Sequence, residues 1–190
     1  MGEVLMSYFK VDEVQKDDIL LYNVKDFLFK LIKEEFGYGY VPEYHQDIKD
    51  LENFYLNPVR NNFFLAIHHE TQKLIGTIGI RSYDRNFPQF KNFYNPENTA
   101  SIWRVFVAKP WRRNGVASAL VHKAEDFCRE KGYQKVYLHT QKNVKGSLDF
   151  WISNGYHITE DTNNPLKTVH MEKDLHEISS PCDADGILIF

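Results

Sequence analysis

The first regular pattern of hydrophobic positions along the chain predicts an α-helix. Apolar residues recur there at three- and four-residue spacing, which places them along one helical face. They are Val24, Phe27, Leu28, Leu31, Ile32 and Phe36. Gly37 follows and ends the helix. A weaker pattern of the same period runs over residues 48–56 until Pro58 stops it, and residues 38–44 predict irregular structure between the two helices.

The pattern then changes to that of β-strands. Residues 63–67 and 74–80 are short runs rich in β-formers, and the polar loop between them predicts an antiparallel hairpin. A polar and aromatic connection over residues 81–99 leads to another strand at residues 102–107. Three predicted strands, with an aromatic connection before the last of them, therefore follow the two N-terminal helices.

Helices and strands alternate in the second half of the chain. The predicted elements are a helix over residues 116–128, a strand over 135–140, a helix over 147–153, and strands near 156–159 and 169–172. Strands separated by helical patterns indicate a mixed sheet with helices packed on it. We therefore predict one α/β domain over residues 1–175, followed by a C-terminal tail over residues 176–190.

Composition fits a globular domain and narrows the choice of partners. The chain has 190 residues, 43% of them hydrophobic, which is enough for one core. Its net charge is −3 and it has no dense Lys/Arg run, so we expect no nucleic-acid partner. We expect no membrane partner and a cytoplasmic location, because no apolar run could cross a bilayer and the N-terminus lacks a secretion signal. Cys128 and Cys182 are too far apart in sequence to indicate a disulfide framework or a metal site.

The turn after the strand at residues 102–107 carries the most chemical information. It leads directly into a helix, whose first backbone N–H groups lack partners and form an anion site. Gly115 leaves room for a phosphate near the backbone, and Arg112 and Arg113 add positive charge. The glycine spacing matches neither a P-loop nor a dinucleotide fingerprint. Taken alone, the turn leaves an ordinary solvated loop open as the alternative.

Arg112, Gly115 and Ala117 stand at the spacing Arg-x-x-Gly-x-Ala. This motif resembles the Arg/Gln-x-x-Gly-x-Gly/Ala signature of the GNAT acetyltransferase superfamily. Further stretches resemble the family's elements in the same order. They are residues 75–79 for its third strand, 100–107 for its central strand, 135–140 for its fifth strand, and 147–156 for its closing helix and Gly-aromatic turn. The resemblance covers residues 63–173.

The resemblance implies a mixed, mostly antiparallel sheet of six to seven strands, splayed at its centre and with helices on both faces. Acetyl-CoA, as co-substrate, would lie in the gap, with its pantetheine along the central strand and its pyrophosphate on the signature turn. The implied cofactor-binding residues are Phe106, Val107, Arg112, Arg113, Asn114, Gly115, Val116, Ala117, Asn143 and Trp151. Asn143 sits one position away from the family's spacing.

Two catalytic positions differ from the family pattern. Trp151 stands where many members have a tyrosine that protonates the leaving thiolate, and Ser101 stands where close relatives have a glutamate base. The catalytic residues are therefore unknown, with Glu43, Tyr137 and His139 as replacement candidates. One hypothesis is transfer of the acetyl group to a primary amine by direct attack in a ternary complex. The alternative is an acyl-CoA-binding sensor or interaction module with little or no turnover.

The acceptor is the least predictable partner. In the family it is held by the N-terminal helices and their connecting loop, which implies a small-molecule amine or a peptide here. Residues 38–47 carry three tyrosines, Glu43 and Asp47 but no Lys or Arg, which favours a cationic acceptor. The loop also carries His45, a further weak candidate for a base. An ordinary surface loop is the equally weighted alternative, and a homodimer stays open.

Overall fold

The computed structural model describes residues 8–175, and strands and helices alternate through this range. The strands are β1 (Phe9–Glu13), β2 (Asn62–His68), β3 (Leu74–Ser82), β4 (Thr99–Val107), β5 (Lys135–Gln141), β6 (His157–Asp161) and β7 (Thr168–Asp174). The α-helices are α1 (Lys16–Leu21), α2 (Val24–Phe36), α3 (Pro42–Lys49), α4 (Val116–Glu130) and α5 (Ser147–Ser153). All strands of this range join one sheet.

The sheet has the order β1-β2-β3-β4-β5-β7-β6. Only β4 and β5 pair in parallel, and each of the other neighbouring pairs is antiparallel. The parallel pair needs a crossover, and α4 supplies it between the two strands. The predicted mixed and mostly antiparallel sheet is thus confirmed, with seven strands in the described range.

The sequence patterns missed or misjudged three elements near the N-terminus. Strand β1 and helix α1 were not predicted. The β1 sequence Phe-Lys-Val-Asp-Glu is short and highly charged, as edge strands often are. Helix α1 has only six residues, too few for a clear helical pattern. Helix α3 begins at Pro42, inside a segment predicted as irregular, because proline is well tolerated in the first turn of a helix. The helix predicted over residues 48–56 is the end of α3 followed by a π-helical turn, Glu52–Leu56.

Two hydrophobic cores cover the two faces of the sheet. On one face α4 packs with Val116, Leu120, Val121 and Ala124 against side chains from β2 to β5. On the other face α1, α2 and α3 cover β2 and β3. Alternation along the strands explains the division, since successive side chains point to opposite faces. Helices on both faces are therefore confirmed.

The sheet opens between its fourth and fifth strands. Thr99, Ala100 and Ser101 pair with β5, and the two strands separate beyond Ser101. β4 continues along β3 as far as Val107, while β5 continues along β7. Arg104 has a φ of +51°, and the β3–β4 register shifts beside it, which is the geometry of a β-bulge. The predicted splay at the centre of the sheet is confirmed.

Strand β7 ends at Asp174, near the predicted end of the domain, and the predicted tail with Cys182 lies outside the described residues. Cys128 is buried on α4 and forms no disulfide within residues 8–175. No helix in residues 8–175 is both long and apolar enough to cross a bilayer.

Candidate functional site

A deep cleft occupies the opening between β4 and β5. Its volume is about 1070 Å³, at the upper end of the range for small-molecule sites. Residues 102–107 of β4 form one wall, and residues 138–141 of β5 form the other. The start of α4 closes one end of the cleft, and α5 lies beside it. The site therefore arises directly from the divergence of the two strands.

The wall formed by β4 has side chains that point into both cores. Phe106 packs with the α1–α3 side and Val107 with the α4 side, and both line the cleft. At the bulge, the Arg104 side chain turns toward α3, where its Nε donates to Asp47 Oδ2 at 2.9 Å and its Nη2 donates to Asp47 Oδ1 at 2.5 Å. The buried Tyr55 hydroxyl donates to the same carboxylate at 2.6 Å. This network attaches α3 to the wall.

The signature turn lies at the end of this wall. Gly115 has a φ of +78°, and no heavy atom lies within 4 Å of the position that a Cβ would occupy. Arg113 also has a positive φ, of +61°. Helix α4 begins immediately afterwards at Val116, so its first N–H groups lack intrahelical acceptors. Gly115, Val116 and Ala117 line the cleft, and open space with unpaired N–H groups is suited to an anion.

The positively charged side chains at this end of the cleft differ in whether they are free to bind an anionic ligand. Arg112 is held in place, since its Nε donates to the Val107 carbonyl at 2.9 Å and its Nη2 donates to Glu35 Oε1 at 2.7 Å. Arg113 and Lys145 line the cleft and form no ion pair within the described part of the chain. The free positive charge therefore comes from Arg113 and from Lys145, which the sequence did not suggest. Asn114 lies at the turn but does not line the cleft, and its carbonyl accepts from the Tyr8 hydroxyl at 2.7 Å.

The opposite side of the cleft is formed by the β5–α5 connection and by α5. Trp151 lines the cleft and is 6% exposed, with its ring edge-on to Tyr156 at 5.1 Å between centroids. Asn143 is exposed and does not line the cleft, whereas Val144 and Gly146 of the same connection do. The predicted contact by Asn143 is thus not supported by its position, which agrees with its offset from the family's spacing.

Tyr137, a candidate acid, is placed away from the cleft. It is fully buried beneath the connection between β3 and β4, packed against Tyr83, Phe90 and Tyr94. Its hydroxyl is 2.6 Å from His170 Nδ1. Burial raises the pKa of Tyr137 far above its usual value. The side chain therefore belongs to an aromatic core and is not positioned to donate a proton to a ligand.

His139, the second β5 candidate, does line the cleft. Burial and the nearby positive charge of Arg85 lower the pKa of His139 to about 3. Its Nδ1 is shielded from solvent and has no hydrogen-bond partner. His139 is therefore neutral at physiological pH and a weak base.

The candidates at residues 43–47 lie on α3 and separate into two groups. Glu43 lines the cleft together with Tyr38 and Tyr44. His45 is buried, and its Nδ1 accepts the Val41 N–H at 2.9 Å, while burial lowers its pKa. Asp47 is also buried and is neutralised by Arg104. One of the two carboxylates that favoured a cationic acceptor is thus unavailable to a ligand.

Sequence reasoning missed two residues that line the cleft at the point where the strands part. Trp103 lies on β4, and Arg85 reaches the cleft from the connection after β3. The guanidinium carbon of Arg85 lies 3.1 Å from the centroid of a Trp103 ring. Nothing in the local pattern identified Arg85, because it follows a strand within a polar loop whose path depends on tertiary packing.

The sequence matches the model of the acetyltransferase (GNAT) family over residues 25–156, more than half of the chain. Among curated proteins, N-acetyltransferase 8 from Homo sapiens is 28% identical over 110 residues, covering 58% of this chain and 44% of that protein. The chain spans about half the length of the curated relatives it matches. The match to the family model includes the signature turn at residues 112–117.

Solved structures share the fold over nearly their whole length. An acetyltransferase of the GNAT family from Staphylococcus aureus Mu50 has a TM-score of 0.70 at 22% identity, covering 88% of this chain and 99% of that chain. An aminoglycoside 6'-N-acetyltransferase complexed with coenzyme A has a TM-score of 0.63 at 16% identity, covering 88% and 98%. At these identities the likeness concerns the fold alone.

Proposed function

The chain belongs to the acetyltransferase (GNAT) family, and we propose that it transfers an acetyl group from acetyl-CoA to a primary amine. The reaction would occur by direct attack of the amine in a ternary complex. The observation that carries the proposal is the opening between β4 and β5 beyond Ser101, with the signature turn at its end. This arrangement offers one continuous site for a long, partly peptide-like donor.

The residues of the cleft fit acetyl-CoA at both of its distinctive parts. The edge of β4 that β5 leaves beyond Ser101 can pair with the amides of a pantetheine arm, as a further strand would. At the end of this edge, the first N–H groups of α4 and the positive charge of Arg113 and Lys145 suit a pyrophosphate. Gly115 keeps the approach to the backbone open. When bound, the donor supplies an activated acetyl thioester.

The transfer needs little help from side chains if the substrates are well placed. A bond forms from the amine nitrogen to the acetyl carbon, the carbon–sulfur bond breaks, and the thiolate leaves with its electron pair. The proton lost by the amine passes to water. Trp151 has no acidic proton of useful strength, and Tyr137 is buried elsewhere, so the cleft contributes positioning and exclusion of solvent. A thiolate is a good enough leaving group that no side chain has to protonate it during the transfer.

The weak basicity of His139 and the lack of an acidic proton on Trp151 also favour the second candidate, an acyl-CoA-binding module without turnover. A turnover assay separates the two functions. Purified protein is incubated with acetyl-CoA and a panel of primary amines, and both the released thiol and the acetylated amine are measured. We expect multiple turnovers with at least one amine. Tight binding of acetyl-CoA with less than one acetyl group transferred per protein molecule would support the binding module and contradict the enzyme.

A further inference from the structure

Arg85 lies at the end of the cleft farthest along β4 from the signature turn. Its guanidinium stacks on Trp103, and its Nη2 donates to the Ile102 carbonyl at 3.3 Å. Trp103 stands four residues before Val107, the last residue of β4, which corresponds to roughly 13 Å along a strand. Arg85 is therefore well separated from the turn that suits a pyrophosphate.

Arg85 forms no ion pair within the described part of the chain. Its neighbour Asp84 attracts the charge of Arg85 but forms its ion pair with Arg81, and the buried Asp47 pairs with Arg104. No carboxylate of the described residues lies within ion-pair distance of Arg85. Burial lowers the pKa of Arg85 to about 10, which leaves the guanidinium protonated at neutral pH. A buried cation without a partner is costly and is usually met by an anion.

Hydrogen-bonding groups around Arg85 are also left without partners. Arg85 Nε, Trp103 Nε1 and His139 Nδ1 are each shielded from solvent and make no hydrogen bond in the described structure. Trp103 and His139 stand two residues beyond the last β4–β5 pair, Ser101 and Tyr137, so their side chains share a sheet face. Arg85 Nε and Trp103 Nε1 are N–H donors, whereas His139 Nδ1 donates or accepts according to its tautomer. Unpaired buried N–H groups cost free energy, and two of them on stacked side chains indicate a ligand with acceptor oxygens.

We infer that Arg85 binds a carboxylate of the acceptor, and that the protein selects primary amines bearing a carboxylate close to the amino group, such as α-amino acids. The inference rests on the proposed function. The donor does not supply this anion, since its phosphates belong at the turn and its pantetheine arm is uncharged. A planar carboxylate matches the fork of N–H groups on a guanidinium. This acceptor class replaces the purely cationic one favoured by residues 38–47, where Asp47 is already paired.

The test compares amines whose covalent structures differ only in the carboxylate, with kcat/KM calculated on the concentration of neutral amine, because the carboxylate also changes the pKa of the amino group. L-phenylalanine and 2-phenylethylamine form one such pair, and L-lysine and cadaverine form another. We expect the amino acid to exceed its decarboxylated partner at least 30-fold in kcat/KM, mainly through KM, by analogy with other charge-assisted hydrogen bonds. Arg85→Gln should reduce this ratio to about one, while Arg85→Lys retains part of it. Arg129→Gln, which removes a positive charge from the far end of α4, should leave the ratio unchanged.

A binding arm keeps the inference testable if no turnover occurs. The affinities of N-acetyl-L-phenylalanine and N-acetyl-2-phenylethylamine are measured by calorimetry on wild type and Arg85→Gln. Preference for the acid that is lost in Arg85→Gln supports the inference even if the proposed function fails. Equal affinity for the two compounds, or equal kcat/KM within each amine pair, overturns it. If Arg85 served only to pack on Trp103, the variant would lower the melting temperature and affect both members of each pair alike.

Discussion

Proton transfer in the cleft depends on very few side chains. His139 faces the place where β4 and β5 part, but burial and the charge of Arg85 lower its pKa to about 3. A base of that strength cannot remove a proton from an ammonium group whose pKa is near 10. Trp151 and Tyr137 do not replace the missing base. Glu43 also lines the cleft, but carboxylates as a class are far weaker bases than amines. The amine must therefore enter the reaction already neutral, and its own pKa should control the rate.

We expect kcat/KM to rise about tenfold per pH unit and to level off at the pKa of the acceptor. A peptide amino terminus, with a pKa of about 8, should reach its plateau more than two pH units below a lysine side chain, with a pKa of about 10.4. His139→Gln should keep both profiles, because His139 is neutral throughout this range. Steady-state rates from pH 6 to 10 test this. One inflection near pH 6–7 shared by both acceptors would reveal a base in the protein.

At the level of elements, the cleft depends on the way α3 is attached to β4. The bulge at Arg104 turns its side chain onto Asp47, and the Tyr55 hydroxyl completes the network from the π-helical turn. Burial alone would raise the pKa of Asp47, but the hydrogen bonds and charge of Arg104 outweigh burial and lower it. The same contact fixes the wall of the cleft and helix α3, whose first turn carries Glu43.

Asp47→Ala should lower the free energy of unfolding by about 3 kcal/mol at pH 7, because it leaves the largely buried Arg104 without a partner. Since the folded-state pKa of Asp47 is lowered, its contribution is present above the unfolded-state pKa and disappears as pH falls through the folded value. The difference from wild type should therefore shrink below about pH 4. Denaturant titration measures both effects. Glu52→Ala, which breaks the exposed pair with Lys16, is the control and should cost far less stability than Asp47→Ala. An equally small loss for the two variants would contradict the account.

Particular elements show what the sequence could predict. The amphipathic stripe of α4 and the runs of β2 and β3 were predictable because each is regular and buried on one side. Arg112 was identified by its motif, yet its pairing with Glu35 was not, since that contact joins segments 77 residues apart. Because side chains alternate along β5, Tyr137 and His139 lie on the same face of the sheet. The β3–β4 connection packs over Tyr137 and buries it, whereas His139 stays in the cleft. Arg85 was not predicted either, because its place in the cleft also depends on the packing of the β3–β4 connection.

At the scale of the whole molecule, the sheet behaves as two halves joined at one short parallel contact. β1–β4 with α1–α3 form one half, β5–β7 with α5 form the other, and α4 crosses between them. Acetyl-CoA would fill the opening from the turn at Gly115 to the contact at Ser101, and the amine would enter beside Arg85. This division of one cleft into a phosphate end and an acceptor end is the central claim.

Calorimetric titration of acetyl-CoA into wild type, Gly115→Asp and Gly115→Asn tests that claim most directly. Aspartate and asparagine carry some strain at the positive φ of Gly115 but tolerate it better than most residues, and their Cβ meets open space, so both variants should fold. They have nearly the same shape, and only aspartate brings a negative charge to the phosphate end. Losing two or three charge-assisted hydrogen bonds predicts at least a hundredfold weaker binding by Gly115→Asp, with a smaller loss for Gly115→Asn. Unchanged affinity in folded Gly115→Asp would show that the donor does not bind at this turn.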